Sequence, residues 1–349
     1  MNITTIGMDL AKNVFALHGV DERGNSVLRK SLRREQVEPF FARLLPCVVA
    51  MEACGSAHFW ARKLQSLGHT VRLIAPQFVK PYVKGNKHDA ADAAAICEAA
   101  SRPSMRFVSV KTADMQAVLA LHRVRNGMIK ARTAQANQLR GLLAEFGVAI
   151  PQGMARLMSQ VKILLSHDDN GLPPLMRDLT QRLLSHLQVL DRQVQEIDNQ
   201  IKQLARQSQA CRILEQVPGI GPITATALVA TVGGSINEFK NGRQLAAFLG
   251  LVPRQHSSGG KERLLGISKR GDGYLRRLLI HGARSVLFHT LRKPERTSTW
   301  LAQLASRRNS NVACVAQANK TARIVWAMLA HNQEFRYDLA ACSTQAIPV

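Results

Sequence analysis

From Leu183 to Leu204 the apolar residues Leu183, Leu187, Leu190, Val194, Ile197, Ile201 and Leu204 recur at spacings of four and three without a break. That period predicts a coiled-coil seam of about three heptads, flanked by polar residues such as Arg192, Glu196 and Lys202. Two readings of the seam stand. It pairs with a second copy of the chain, which the pattern favours, or it is one amphipathic helix docked on its own domain.

Residues 1 to about 110 follow a different period and read as α/β. ITTIGMDLA, NVFALHGV and, after the turn DERGN, SVLRKSL predict a short antiparallel meander. A helix is expected from Arg34, the run CVVAME reads as a buried strand, and a helix from Ala57 to Leu67 leads through Gly68 to the strand TVRLIAP. Residues 111–146 form one long helical pattern carrying Arg123, Arg125, Lys130, Arg132 and Arg140, and it stops near Gly147 and Pro151. Three stretches result: an α/β domain over 1–150, a helical spacer over 151–210, and a mainly α domain over 211–349. The last opens with LEQVPGIGPITATALVATVGG, whose turn resembles a helix-hairpin-helix. In that motif Gly219 and Gly221 let backbone N–H groups approach a phosphate, whereas a purely packing role is the plainer alternative.

Charge narrows the function. With 349 residues, 46% hydrophobic, the chain can bury a large core, and 47 Lys+Arg against 24 Asp+Glu give a formal +23. Such a balance marks a polyanion binder, with nucleic acid as the leading partner. From Leu251 onward there are 16 basic against five acidic residues. No apolar run reaches the roughly 18 residues of a spanning helix and no signal peptide is read, so no membrane partner and a cytoplasmic, nucleoid-associated protein are expected. The six cysteines include no C-x-x-C pair, which suggests neither zinc knuckle nor disulfide framework.

Against this basic background four acids stand out: Asp9 in TTIGMDLAK, Glu52 in VVAMEACG, and Asp89 with Asp92 in KHDAADA. Asp9 and Glu52 each end an apolar strand pattern, and the two aspartates, three apart, share one face of a helix start. Gathered in one cavity, four carboxylates repel unless a cation neutralises them, and hard oxygen ligands favour Mg²⁺, with Mn²⁺ as a substitute. Two such ions about 4 Å apart can clamp an in-line phosphoryl transfer. Taken singly, each acid reads equally as a solvated cap or dipole partner.

The order of these motifs resembles the DEDD insertion-sequence transposases, the family that includes the Piv DNA invertase. The resemblance spans nearly the whole chain: GMDLAK, the strand ending in Glu52, N-K-x-D-x-x-D over Asn86–Asp92, the helical spacer, VPGIG, and FLGLVPRQHSSGGKERLLGISKRG. One departure is local. Cys54 and His58 stand where related sequences often carry Thr and Tyr, which touches substrate contacts rather than metal ligands.

The resemblance implies an RNase H-like, RuvC-type fold for the first domain, with Asp9, Glu52, Asp89 and Asp92 as its metal ligands. It also implies a recombination serine in the loop after G-L-x-P-R, at Ser258. Ser257 next to it is the rival, and His256 reads equally as an assisting base, a packing residue or a phosphate contact. From the residues alone, a serine in a Gly-rich loop is most often a turn former. Arg254, Lys261, Arg263, Lys269, Arg270, Arg276 and Arg277 surround it in sequence, and cations favour an alkoxide and a phosphate's developing charge. With Lys12 and Lys87 beside the acids, these are the expected nucleic-acid contacts. The implied activity is DNA transposition through a phosphoserine, on donor and target DNA, guided by a structured non-coding RNA, in a dimer or tetramer. A junction-resolving endonuclease that uses water, and a non-catalytic DNA-binding protein, are the alternatives.

Overall fold

A computed structural model of the chain describes residues 2–84, 88–167, 171–292 and 299–336. Packing divides the chain into two compact units, residues 1–116 and 117–349. The division falls within a long helix rather than near residue 150, because most of that helix packs with the segments that follow it.

The first unit is built on a mixed sheet. Its elements are β1 (Thr5–Asp9), β2 (Val14–Val20), β3 (Ser26–Arg33), α1 (Arg34–Ala42), β4 (Val48–Glu52), α2 (Ala57–Ser66), β5 (Thr70–Ile74), α3 (Pro76–Val79), α4 (Asp89–Ala100) and β6 (Phe107–Val108). The sheet order is β3-β2-β1-β4-β5-β6. The meander β1-β2-β3 is antiparallel, β1, β4 and β5 are mutually parallel neighbours, and β6 closes the edge antiparallel to β5. Apolar β1 and β4 take the centre, where both faces are covered. Charged β3 takes the other edge, where Arg29, Lys30 and Arg33 discourage further strand pairing.

Alternation along the strands sorts their side chains between two faces. Ile6, Met8, Val49 and Met51 point to the core shared with Val37, Phe41, Trp60 and Leu64 of α1 and α2. Ala50 and Ile74 point the other way, to Ala95, Ile96 and Ala99 of α4. Gly7 explains why α4 lies so close: a Cβ there would sit 2.1 Å from the Ala93 carbonyl oxygen and 2.5 Å from the Cys97 nitrogen. Any larger residue would lift α4 off the sheet and with it the helix's first turn.

The second unit takes in most of α5 (Ala113–Ala144), followed by α6 (Met154–Ser166), α7 (Pro174–Gln207), α8 (Gln209–Glu215), α9 (Pro222–Val232), α10 (Gly242–Phe248), the strands β7 (Pro253–Gln255) and β8 (Leu264–Ile267), α11 (Gly273–Arg292), α12 (Thr299–Arg307) and α13 (Ser310–His331). Arg125 pairs with Asp198 and Arg132 with Asp191, seven residues on in α5 and seven back in α7, so the two helices run antiparallel in heptad register. Leu187, Leu190, Val194, Ile197 and Ile201 are buried within the single chain. Their burial supports the second reading of the seam, one amphipathic helix docked on its own domain. The two ion pairs tie α5 to α7, and α6, α8 and α9 pack on α7 as well. A separate core joins α8–α11 and α13 through Leu214, Leu228, Leu245, Leu275 and Val325.

Candidate active site

Asp9 and Glu52 end adjacent parallel strands. Met8 is level with Met51, so one residue further Asp9 and Glu52 stand side by side. Alternation turns both toward the α4 face, since Gly7 lies under Ala93 and Ala50 under Ile96. One helical turn before Ala93 comes Asp89, and one turn before Ile96 comes Asp92. All four acids thus lie at the carboxyl ends of the parallel strands, on the side that α4 covers. Asp9, Glu52 and Asp92 are half-buried and Asp89 is exposed. His88 sets the start of α4, its Nδ1 accepting from the Ala91 N–H at 3.2 Å.

Among the described residues no three His, Cys, Asp or Glu side chains come close enough together to hold a metal ion. As donors the four acids, all hard carboxylate oxygen, fit Mg²⁺, which keeps several waters and is usually held by few protein carboxylates. The exposed Cys54 thiol is pushed up by partial desolvation and then by the charges of Glu52 and Asp9. His58 is engaged inside the fold, where its Nδ1 accepts from the Lys111 N–H at 3.2 Å. One turn on, Arg62 donates to the Lys111 carbonyl and to Gln116 Oε1, both at 2.6 Å. Lys12 is exposed three residues after Asp9, and Lys87 and Asn86 lie outside the described residues.

Ser258 sits at the tip of an exposed ribbon formed by β7 and β8. The Lys261 N–H donates to the Ser258 carbonyl at 3.1 Å, and between them Gly259 (φ 56) and Gly260 (φ 74) both take left-handed backbone. This is the two-residue hairpin turn that requires φ > 0 at both central positions, which explains the glycine pair. The two serines differ. Ser257 Oγ accepts from the Arg263 N–H at 3.3 Å across the ribbon, whereas Ser258 opens the turn.

The ribbon is rooted by close backbone contact. A Cβ on Gly250 would stand 2.1 Å from the Arg270 carbonyl oxygen, and one on Gly271 1.8 Å from that of Phe248. Arg276 clamps the root by donating to the Leu249 and Arg270 carbonyls at 3.1 and 3.2 Å. Arg277 donates to Asn126 at 3.1 Å. These two cations are occupied within the chain, while Arg254, Lys261, Arg263, Lys269 and Arg270 are exposed along the ribbon and its base.

Gly219 is held to glycine by packing, whatever its turn binds. It takes φ 87, and a Cβ on it would lie 2.8 Å from the carbonyl oxygen of Gly282 in α11. Helix packing accounts for that glycine. At Gly221, the N-cap of α9, an added Cβ would meet open space.

Periodicity offered no sign of a polar junction behind the ribbon. Buried His122 of α5 lies 3.0 Å from Tyr274 Oη through Nδ1 and 3.0 Å from Thr226 Oγ1 through Nε2. Burial, assisted by the Arg125 charge, lowers its pKa to about 4. Tyr274 begins α11 beside Arg276, so the junction ties the serine ribbon's root to α5 and α9.

Comparison with known proteins supplies the frame for these features. A family model described as Transposase IS116/IS110/IS902 family matches residues 211–298, and a DEDD transposase model of the IS110 type matches residues 6–147. A probable family 20 transposase of Pseudomonas aeruginosa is 54% identical over 96% of this chain and 99% of its own length. The transposase for insertion sequence element IS1111A of Coxiella burnetii is 45% identical over 96% of this chain and 92% of its own. That for IS1328 of Yersinia enterocolitica is 44% identical over 96% and 99%. Similarity of this depth along nearly the full length means that the chain belongs to the IS110/IS116/IS902 family of DEDD transposases, enzymes that cut and rejoin DNA.

Proposed function

We propose that this transposase cuts DNA through a covalent phosphoserine at Ser258, with Asp9, Glu52, Asp89 and Asp92 holding Mg²⁺ or Mn²⁺. The observation that carries this reading is the placement of Asp9 and Glu52 on adjacent strand ends beneath the first turn of α4. When bound, the ion supplies positive charge against the scissile phosphate. Ser258 Oγ attacks phosphorus, its proton passes to a base or to water, and the bond from phosphorus to the leaving deoxyribose oxygen breaks. A later attack by a strand end on the phosphoserine restores a phosphodiester and returns the hydroxyl. No external energy source is needed, because each bond broken is replaced by one of the same kind. Arg254, Lys261 and Arg263 on the ribbon oppose the charge that develops on the phosphate. His256 pairs with Arg263 in the ribbon through its backbone N–H, so its ring is carried beside the same turn.

The same reading includes a guide. A formal +23 with 5% aromatic residues suits gripping A-form helices by phosphate and 2′-hydroxyl, while base pairing reads the sequence. Structured non-coding RNA encoded beside the gene is the proposed partner. Self-association as a dimer or tetramer belongs to this reading too, through a surface other than the α7 seam.

One experiment separates this function from its rivals. Incubated with DNA and Mg²⁺ and resolved on a denaturing protein gel, the protein is expected to yield a covalent adduct that is absent in Ser258→Ala. Free cut ends without an adduct indicate a water-using endonuclease, and intact DNA indicates a binding protein. Sequencing of co-purified RNA is expected to return one structured species; random host RNA refutes the guide.

A further inference from the structure

The second unit contains a groove of about 1250 Å³ between the start of α10, strand β8, Trp300 and α13. Small-molecule sites run to roughly 300–1,000 Å³, so this one has room for a length of polymer. Arg243, Lys320, Arg323 and Arg336 line it together with the acid Glu334, which leaves the groove strongly positive. Lys320 Nζ stands 5.0 Å from the centroid of the Trp300 ring, so cation and aromatic surface are presented together. One wall is the backbone of β8 at Leu265, Gly266 and Ile267, and a Cβ on Gly266 would meet only open space.

That wall has a further meaning, because β8 is the strand that leads away from the Ser258 turn. At about 3.3 Å per residue, the groove wall and the turn are roughly 15–20 Å apart along one ribbon. We infer that the groove seats unpaired nucleotides of the strand that the ribbon acts on, an inference that rests on the proposed role of Ser258. Phosphates meet Arg243 and Arg323 on the rim, and bases lie against Trp300 and Leu265. An acidic peptide would satisfy the cations equally. Continuity with the ribbon and the indole face favour a nucleic-acid strand.

Binding can be read without chemistry. In EDTA, the anisotropy of a short labelled oligothymidine is measured with full-length protein, beside a duplex of equal length. The variant Arg243→Ala/Arg323→Ala removes two exposed side chains and is expected to weaken oligothymidine binding about tenfold. Its salt slope is expected to become shallower by about 1.4, as two lost phosphate contacts require. Duplex affinity is expected to hold, the double Arg→Lys variant to restore most of the loss, and Trp300→Ala, unlike Trp300→Phe, to weaken the oligothymidine. Unchanged oligothymidine binding, an equal loss on duplex, or a polyglutamate peptide that binds the same residues more tightly overturns the inference. Because no divalent ion is present, failure here leaves adduct formation at Ser258 standing, and failure of the adduct leaves this result readable.

Discussion

Gly219 and Gly282 touch backbone to backbone: a Cβ on Gly282 would stand 2.0 Å from the Gly219 carbonyl oxygen. A methyl group at either position has nowhere to go. Gly282→Ala is expected to destabilise the protein by about 2–3 kcal/mol, in the range of an overpacked core. Gly219→Ala adds the strain of a left-handed backbone, about 1–2 kcal/mol. Gly221→Ala meets open space and is expected to leave the urea midpoint nearly unchanged. A phosphate-binding turn predicts a different pattern, in which Gly221→Ala weakens DNA binding at constant stability. Urea unfolding and DNA titration of the three variants decide between them.

How far the fold was legible depended on where each partner lay. The meander and the strands ending in Asp9 and Glu52 could be read because alternation and apolar runs are local properties. The α7 seam was visible for the same reason, but its partner was not, since Arg125–Asp198 and Arg132–Asp191 join residues 73 and 59 apart. The packing demand on Gly219 was not legible, because its partner Gly282, 63 positions later, carries no signal of its own. Of the two serines, the resemblance points to Ser258, and the ribbon adds that the Ser257 Oγ is engaged by the Arg263 N–H across it.

His122 makes stability depend on pH. In the unfolded chain it binds a proton near its ordinary 6.5, whereas in the folded protein burial holds it neutral to about 4. Between those values the unfolded state carries more protons, so folding stability falls as pH drops through that window. The full contribution is present above about pH 7, and the loss approaches about 3 kcal/mol at pH 4. His122→Gln keeps a polar side chain that does not titrate, and it is expected to flatten the pH dependence over this range. An unchanged slope in thermal unfolding would show that His122 is not the group responsible.

The α5–α7 pair predicts that seam mutations unfold rather than dissociate. Leu187 is fully buried in the single chain, and Leu187→Ala is expected to cost about 2–5 kcal/mol. Light scattering is expected to show the same particle mass for wild type and variant while both remain folded. A fall in mass at unchanged secondary structure would return the seam to a subunit interface.

Ser257 and Ser258 are separable by a matched pair of substitutions. Ser257→Ala removes one exposed cross-ribbon hydrogen bond, about 1 kcal/mol or less, and is expected to retain adduct formation at a reduced rate. Ser258→Ala is expected to form no adduct and to bind DNA normally. Peptide mapping of the trapped adduct checks the assignment directly, and phosphate carried on Ser257 would reverse it.

The four carboxylates are best tested by the sign of a stability change. If Asp92 is only an acid in the first turn of α4, it favours the helix dipole, and Asp92→Asn lowers stability by about 0.3–1 kcal/mol. If it shares a site with Asp9, Glu52 and Asp89, the metal-free protein bears the repulsion of four like charges. Removing one charge then raises stability in EDTA by a comparable amount. Adding Mg²⁺ is expected to raise the melting temperature of the wild type, because the ion binds only the folded site, and to raise that of Asp92→Asn much less. Strand cleavage is expected to fall at least about a hundredfold in the variant, equivalent to about 2.7 kcal/mol of barrier. Differential scanning calorimetry with and without Mg²⁺ reads the sign before any DNA is added, so the metal site is tested apart from the serine.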